Sequence, residues 1–131
     1  MTFFENEIIT ITYDETRQLV QTEWHGFAPS EEYRKIMEIY LQLAKEKPVR
    51  RWIGNNTHAK VIRPTDQEWT VREWAPRFSQ AGKLEKMAIV VSQDLFNKMA
   101  VENMFIKGKG VVRFDTRYFK SMNDAQEWVM E

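Results

Sequence analysis

Cysteine is absent from this chain of 131 residues. Disulfides, thiolate nucleophiles and thiolate metal sites are therefore excluded, and the absence fits a reducing compartment. An excess of one charge is also lacking, because 19 basic residues balance 19 acidic ones. No global basic field draws in nucleic acid, and the counterion release that drives such binding is weak. Long apolar runs are missing too. The longest, such as Met87–Val91, fall far short of a bilayer span, so no membrane span is expected. Met1–Glu7 lacks the basic stretch and apolar run of a signal peptide, and a soluble cytoplasmic protein is expected. Five glycines and four prolines are scattered. They leave no linker, and no internal repeat is visible. A single domain over residues 1–131 is expected.

Aromatic residues are plentiful: five Trp, four Tyr and eight Phe. With balanced charge they favour collapse over disorder. Glu7–Tyr13 and Leu19–Trp24 alternate at period two around a polar Asp14-Glu15-Thr16 break, which predicts an antiparallel hairpin. Ser30–Lys47 carries an apolar stripe at helical spacing, Tyr33, Ile36, Met37, Tyr40, Leu43 and Ala44. Ser30 is its predicted N-cap, and Pro48 blocks continuation. Arg51–Asn55 reads as a short strand and Asn55–Arg63 as a polar loop. Thr65 with Glu68 forms a candidate capping box for a second helix, in which Val71, Trp74 and Phe78 share a buried side. Pro76 predicts a kink or break near Ala75, and Gly82 ends the helix.

Met87–Val91 is apolar throughout, as in a strand covered on both faces. Ser92 is the predicted cap of a third helix, Gln93–Lys107, terminated by Gly108 and Gly110. Val111–Phe114 is the predicted last core strand. Ser121 caps a final helix with Ala125, Trp128 and Val129 facing inward. The order is β-β-α-β-α-β-α-β-α. It predicts an α/β fold with a mixed five-stranded sheet, a hairpin at the start and parallel strands after it, and four helices on both faces.

Several residues carry a family resemblance. Trp52 in the third strand precedes a polar loop leading to Thr65-Asp66 and Trp69. Ala81–Val90 is a glycine followed by a charged and then apolar strand. Phe114, Ala125 and Trp128 mark a strand and a short helix with Ala-x-x-Trp. The chain resembles the SpoIIAA-like proteins, relatives of STAS domains and of the CRAL–TRIO lipid carriers. The resemblance implies a phosphorylation switch at the helix after the third strand. Thr65, within Arg63-Pro64-Thr65-Asp66-Gln67, is the one hydroxyl in that place, although the serine and glycine of the Asp-Ser-x-Gly pattern are not there. A phosphate at a helix start is physically favourable, but Asp66 beside it would repel it, and Thr65 also reads simply as a helix cap.

Other chemistry is sparse. His25 and His58 lie in polar surroundings without metal-ligand spacing, and His58 with Asp66 supplies at most two ligands across one loop. Of Ser30, Ser79, Ser92 and Ser121, three read as caps, and none sits in a nucleophile elbow. Gly108-Lys109-Gly110 follows a helix and reads as a helix stop. Glu31 and Glu32 suit a helix start, while Lys47, Arg50, Arg51, Arg63, Arg72 and Arg77 read as solvated faces. No catalytic, metal or cofactor site is predicted, although Arg51, His58 and Asp66 are left as residues that the fold would have to bring together.

The third helix is anomalous. Leu95, Phe96, Met99, Ala100, Val101, Met104, Phe105 and Ile106 wrap more than one face, whereas a helix on a sheet needs one stripe. Trp69 and Trp74 on the neighbouring helix are expected to line the same region. Two functions follow. One is a non-enzymatic regulatory or protein-interaction module, homodimeric through its second and third helices, for which Trp69, Trp74, Met99, Met104 and Phe105 are the candidate interface or pocket residues. The other, implied by the CRAL–TRIO resemblance, is a carrier of a small apolar or acyl ligand in a pocket between helices and sheet.

Overall fold

A computed structural model describes residues 1–131. Strand β1 (Thr2–Glu5) opens the chain, followed by β2 (Ile9–Asp14) and β3 (Leu19–Trp24). These three pair antiparallel in sequence order. Ile9, Ile11 and Tyr13 alternate inward along β2, as period two dictates. The β2–β3 turn places Gln18 at φ 51°, and the Asp14 carboxylate accepts from the Arg17 N–H.

Helix α1 (Ser30–Glu46) leads to β4 (Arg51–Asn55). A long helical run then comprises α2 (Pro64–Trp69), a π turn (Thr70–Trp74) and α3 (Ala75–Ala81). It leads to β5 (Lys86–Val90), α4 (Leu95–Lys107), β6 (Asp115–Phe119) and α5 (Met122–Val129). β3, β4, β5 and β6 pair parallel, and the whole sheet runs β1-β2-β3-β4-β5-β6.

That spatial order has a consequence for the helices. Each parallel strand lies beside its predecessor, so same-handed crossovers bring α1, α2–α3 and α4 to one face. Only α5 covers the other. The larger core joins α1, the π turn and α3 to the first face through Ile36, Leu43, Trp52, Trp74 and Phe78. The smaller core packs Ala125, Trp128 and Val129 of α5 against Leu19, Ile53, Ala88 and Val90. Both faces of β4 and β5 are thus covered, which accounts for their unbroken apolar character.

Several expectations need correcting. The sheet has six strands, not five. β1 escapes periodicity because it is four residues long and its register shifts between Thr2 and Phe4. The last strand is Asp115–Phe119 instead of Val111–Phe114. It is an edge strand, half-exposed and polar, and the apolar Val112 and Phe114 tuck into the larger core from the preceding loop.

Helix caps also differ. α1 begins at Ser30 itself, after Pro29, and the Ser30 hydroxyl donates to Asp66 Oδ2 at 2.8 Å. α4 is capped by Asp94, which accepts from the Phe96 N–H, while Ser92 donates to the Ala59 carbonyl. Ser121 caps α5 through the Asp124 N–H, as predicted.

Pro76 lies in the first turn of α3, directly after the π turn. The Ala75 N–H reaches back five residues to the Thr70 carbonyl. The expected break near Ala75 is therefore a change of helical winding, which accommodates a proline that can donate no bond.

Candidate functional site

Three helices on one sheet face do not pack equally. α1 and α3 lie side by side, and Trp74 locks them together. Its Nε1–H donates to the Met37 carbonyl at 2.7 Å, and its ring stacks on Phe78 at 4.5 Å. α4 packs on α2 and the π turn, and Phe105 reaches Tyr118 of β6 edge to face at 6.3 Å. Between α4, α1, the π turn and the sheet lies a cavity of about 140 Å³. Of its 27 lining residues, 19 are hydrophobic, so its default occupant is apolar.

Each wall has a sequence origin. Thr22 and Trp24 project from one face of β3, two residues apart. Trp52 and Gly54 do the same on β4, and Met87 and Ile89 on β5. Tyr33, Met37 and Tyr40 form the inner stripe of α1. Asn97, Val101, Met104 and Phe105 lie at i, i+4, i+7 and i+8 of α4, one face of a helix. The π turn adds Thr70, Val71 and Trp74. π turns recur at functional sites, because an extra residue per turn re-aims side chains.

Burial dominates the electrostatics here. It pushes the Tyr33 and Tyr40 hydroxyls well above the usual phenol range, so both stay neutral. The Tyr33 hydroxyl pairs with Thr70 Oγ1 at 2.7 Å, and Thr70 in turn donates to the Asp66 carbonyl. No carboxylate lines the cavity, and Lys60 is its one charged lining residue.

The predicted interface-or-pocket residues divide. Trp74, Met104 and Phe105 line the cavity. Met99 is on the outer side of α4, exposed with Leu95, Phe96 and Ile106. Trp69 is half-buried outside the cavity, edge-on to Tyr33 and beneath the Arg34 guanidinium.

Thr65 is the second residue of α2 and exposed. It does not cap the helix. Pro64 already occupies the first turn, Arg63 is the cap position, and Glu68 pairs with Arg72 instead. Asp66 is not a loop residue but sits in the first turn of α2, 1% exposed. Arg34 Nε and Ser30 Oγ satisfy its two oxygens at 3.1 and 2.8 Å. His58 is exposed, and Arg51 donates to the Arg17 carbonyl, so Arg51, His58 and Asp66 each have other surroundings. His25 Nε2 pairs with Thr10 Oγ1 at 2.8 Å. No group of three metal-ligating side chains assembles, and no helix is long and apolar enough to cross a membrane.

Sequence reasoning missed Asn97, Asn56 and Thr22 as lining residues. Asn97 carried a readable signal, being the polar member of an otherwise apolar helix face. Thr22 and Asn56 carried none, because their meeting depends on how strands align.

Comparison with known proteins supports the architecture. The fold is similar to that of an uncharacterized protein of the DUF3478 family from Shewanella loihica PV-4, whose crystal structure is described as having a SpoIIAA-like fold. The TM-score is 0.64 at 14% identity, over 96% of this chain and 97% of that one. The expected SpoIIAA-like fold is thus shown. No family model matches the sequence, and no curated protein does.

Proposed function

We propose that the chain is a non-enzymatic STAS-type binding module, cytoplasmic, and built as one domain around a site for a small apolar ligand. The cavity beneath α4 carries this reading. A close-packed domain rarely leaves a void larger than a few waters, and an apolar cavity of about 150 Å³ holds a benzene ring. The observed space of about 140 Å³ matches that size. It is too small for a long acyl chain to be enclosed, so the carrier reading narrows to compact ligands.

The test is binding of toluene to the purified protein, followed by amide shifts in nuclear magnetic resonance. Saturable shifts at Gly54, Val101 and Phe105 support the reading. Val101→Phe, which fills the cavity, should abolish them while raising Tm. Shifts scattered over the surface, or none, would sink it.

A second reading rests on the outer side of α4. Leu95, Phe96, Met99 and Ile106 are 59–71% exposed on one helix. Such a stripe favours an interface, and a second copy is its proposed partner. It is self-complementary, because antiparallel pairing sets Phe96 against Ile106 and Lys98 near Glu102 across a two-fold axis. Sedimentation should show concentration-dependent dimerisation, abolished by Phe96→Glu with the fold intact. A monomer at all concentrations overturns it.

A further inference from the structure

The wall of the cavity is not equally thick on every side. Most lining residues sit on strands or helices, and nearly all are buried or half-buried. Lys60 and Val61 are the two that line the cavity and are also exposed, Val61 to 42%. At these residues a single thickness of chain separates the cavity from solvent.

Both belong to a strap, residues 57–62, in the connection between β4 and α2. The strap pairs with no strand. The N–H groups of Lys60, Val61 and Ile62 donate no hydrogen bond within the protein. Its carbonyls are held by side chains from other elements instead. Ser92 Oγ donates to the Ala59 carbonyl at 2.7 Å, Asn97 Nδ2 to the Lys60 carbonyl at 2.8 Å, and Gln67 Nε2 to the Ile62 carbonyl at 2.7 Å. A strand or helix gives up its bonds cooperatively. Three separate side-chain bonds can be released without disturbing any element, which is the condition for local opening.

The loop before β6 also closes part of the cavity, through Val112 and Phe114. Both are half-buried and packed into the larger core. That loop has a comparable tether, from Ser79 Oγ to the Val111 carbonyl at 2.8 Å, and so supplies an internal comparison.

We infer that residues 57–62 are the gate through which a ligand enters and leaves the cavity, with Ser92, Asn97 and Gln67 as the positioning residues that hold it shut. This rests on the apolar-ligand reading above and adds the route of entry. Opening the strap displaces part of one wall and leaves α4, the π turn and the sheet in place. Small ligands commonly wait on such loop motions, which are slower than diffusion.

The gate is tested through rates, because a latch that does not touch the ligand changes how fast it passes, not how tightly it is held. Ser92 and Gln67 do not line the cavity. The experiment follows toluene exchange on labelled protein by nuclear magnetic resonance, giving association and dissociation rates as well as Kd. Ser92→Ala and Gln67→Ala should each raise both rates about fivefold, the effect of one lost hydrogen bond on the opening equilibrium, with Kd changed less than about twofold. Ser79→Ala, which loosens the other loop, should leave both rates unchanged. Should Ser92→Ala fail to fold, Gln67→Ala decides. Unchanged rates in a folded latch variant, a rise in dissociation alone, or an equal acceleration by Ser79→Ala would overturn the gate and leave the apolar-ligand reading standing. Failure of the wild-type protein to bind toluene overturns both.

Discussion

At the scale of single residues, the informative groups are those whose polarity disagrees with their surroundings. Asp66 is buried beside apolar α1 and is held by Arg34 and Ser30. Asp66→Ala leaves both donors without their acceptor. The loss should be about 2–3 kcal/mol, below that of a fully buried pair because Arg34 can rehydrate. Urea unfolding measures it. Ser30→Ala should cost less, about 1 kcal/mol. Tyr33 and Tyr40 set the alkaline limit. Burial raises both above the ordinary value of 10.0, so the folded state retains protons that the unfolded chain releases. Their contribution is complete below pH 10.0 and is lost as pH rises toward the folded values. Unfolding free energy should therefore begin to fall near pH 10.0 and go on falling as pH rises above it, and Tyr33→Phe should flatten that fall. An unchanged slope would mean that Tyr33 does not contribute.

At the scale of elements, the π turn is the device that sequence patterns hide. Trp74 and Phe78 face the core four residues apart, while Asp66 and Thr70 face α1 one stretch earlier. One extra residue in the winding lets both sets point inward. Deleting exposed Arg72 should convert the π turn to α winding and leave Trp74 and Phe78 on the inner face, because one residue fewer at about 100° each restores the helical phase. Inserting one alanine after Arg72 should instead rotate α3 by about 100° relative to α2 and carry Trp74 and Phe78 off their sites, at a cost of more than about 3 kcal/mol. Arg72→Ala, which keeps the winding, should change stability by less than about 0.5 kcal/mol. Equal effects of the deletion and the insertion in thermal unfolding would refute this role. α4 differs from every other helix in being apolar on both sides. Its inner side closes the cavity and its outer side stays exposed, so the two functional readings occupy opposite faces of one element.

At the scale of the whole molecule, the sheet order governs the distribution of helices. Successive parallel strands put three crossovers on one face and leave the other to α5 alone. Removing residues 122–131 would expose Leu19, Ile53, Ala88 and Val90 together. The truncated chain should bind a hydrophobic dye and aggregate, whereas Trp128→Phe should only lower Tm. A truncated chain that stays monomeric and cooperative in unfolding would contradict this.

Most elements were legible in the sequence because each buries a periodic face. α1, β2, β3 and α5 follow from spacings of 3.6 or 2, β5 from an unbroken apolar run, and the SpoIIAA-like order from the succession of elements. The apolar excess of α4 was legible for the same reason. Edges and caps were not. β1 and β6 lie at sheet margins, where partial burial erases the pattern, and Thr65 resembled a cap until Pro64 took the first turn. The cavity lay beyond any local reading. Composition fixed an apolar, aromatic interior without thiols or an excess of charge. Only the tertiary structure brought Thr22, Asn56 and Asn97 from three distant segments to one space, because strand register and helix crossing are set by packing across the whole sheet, not by neighbours in the chain.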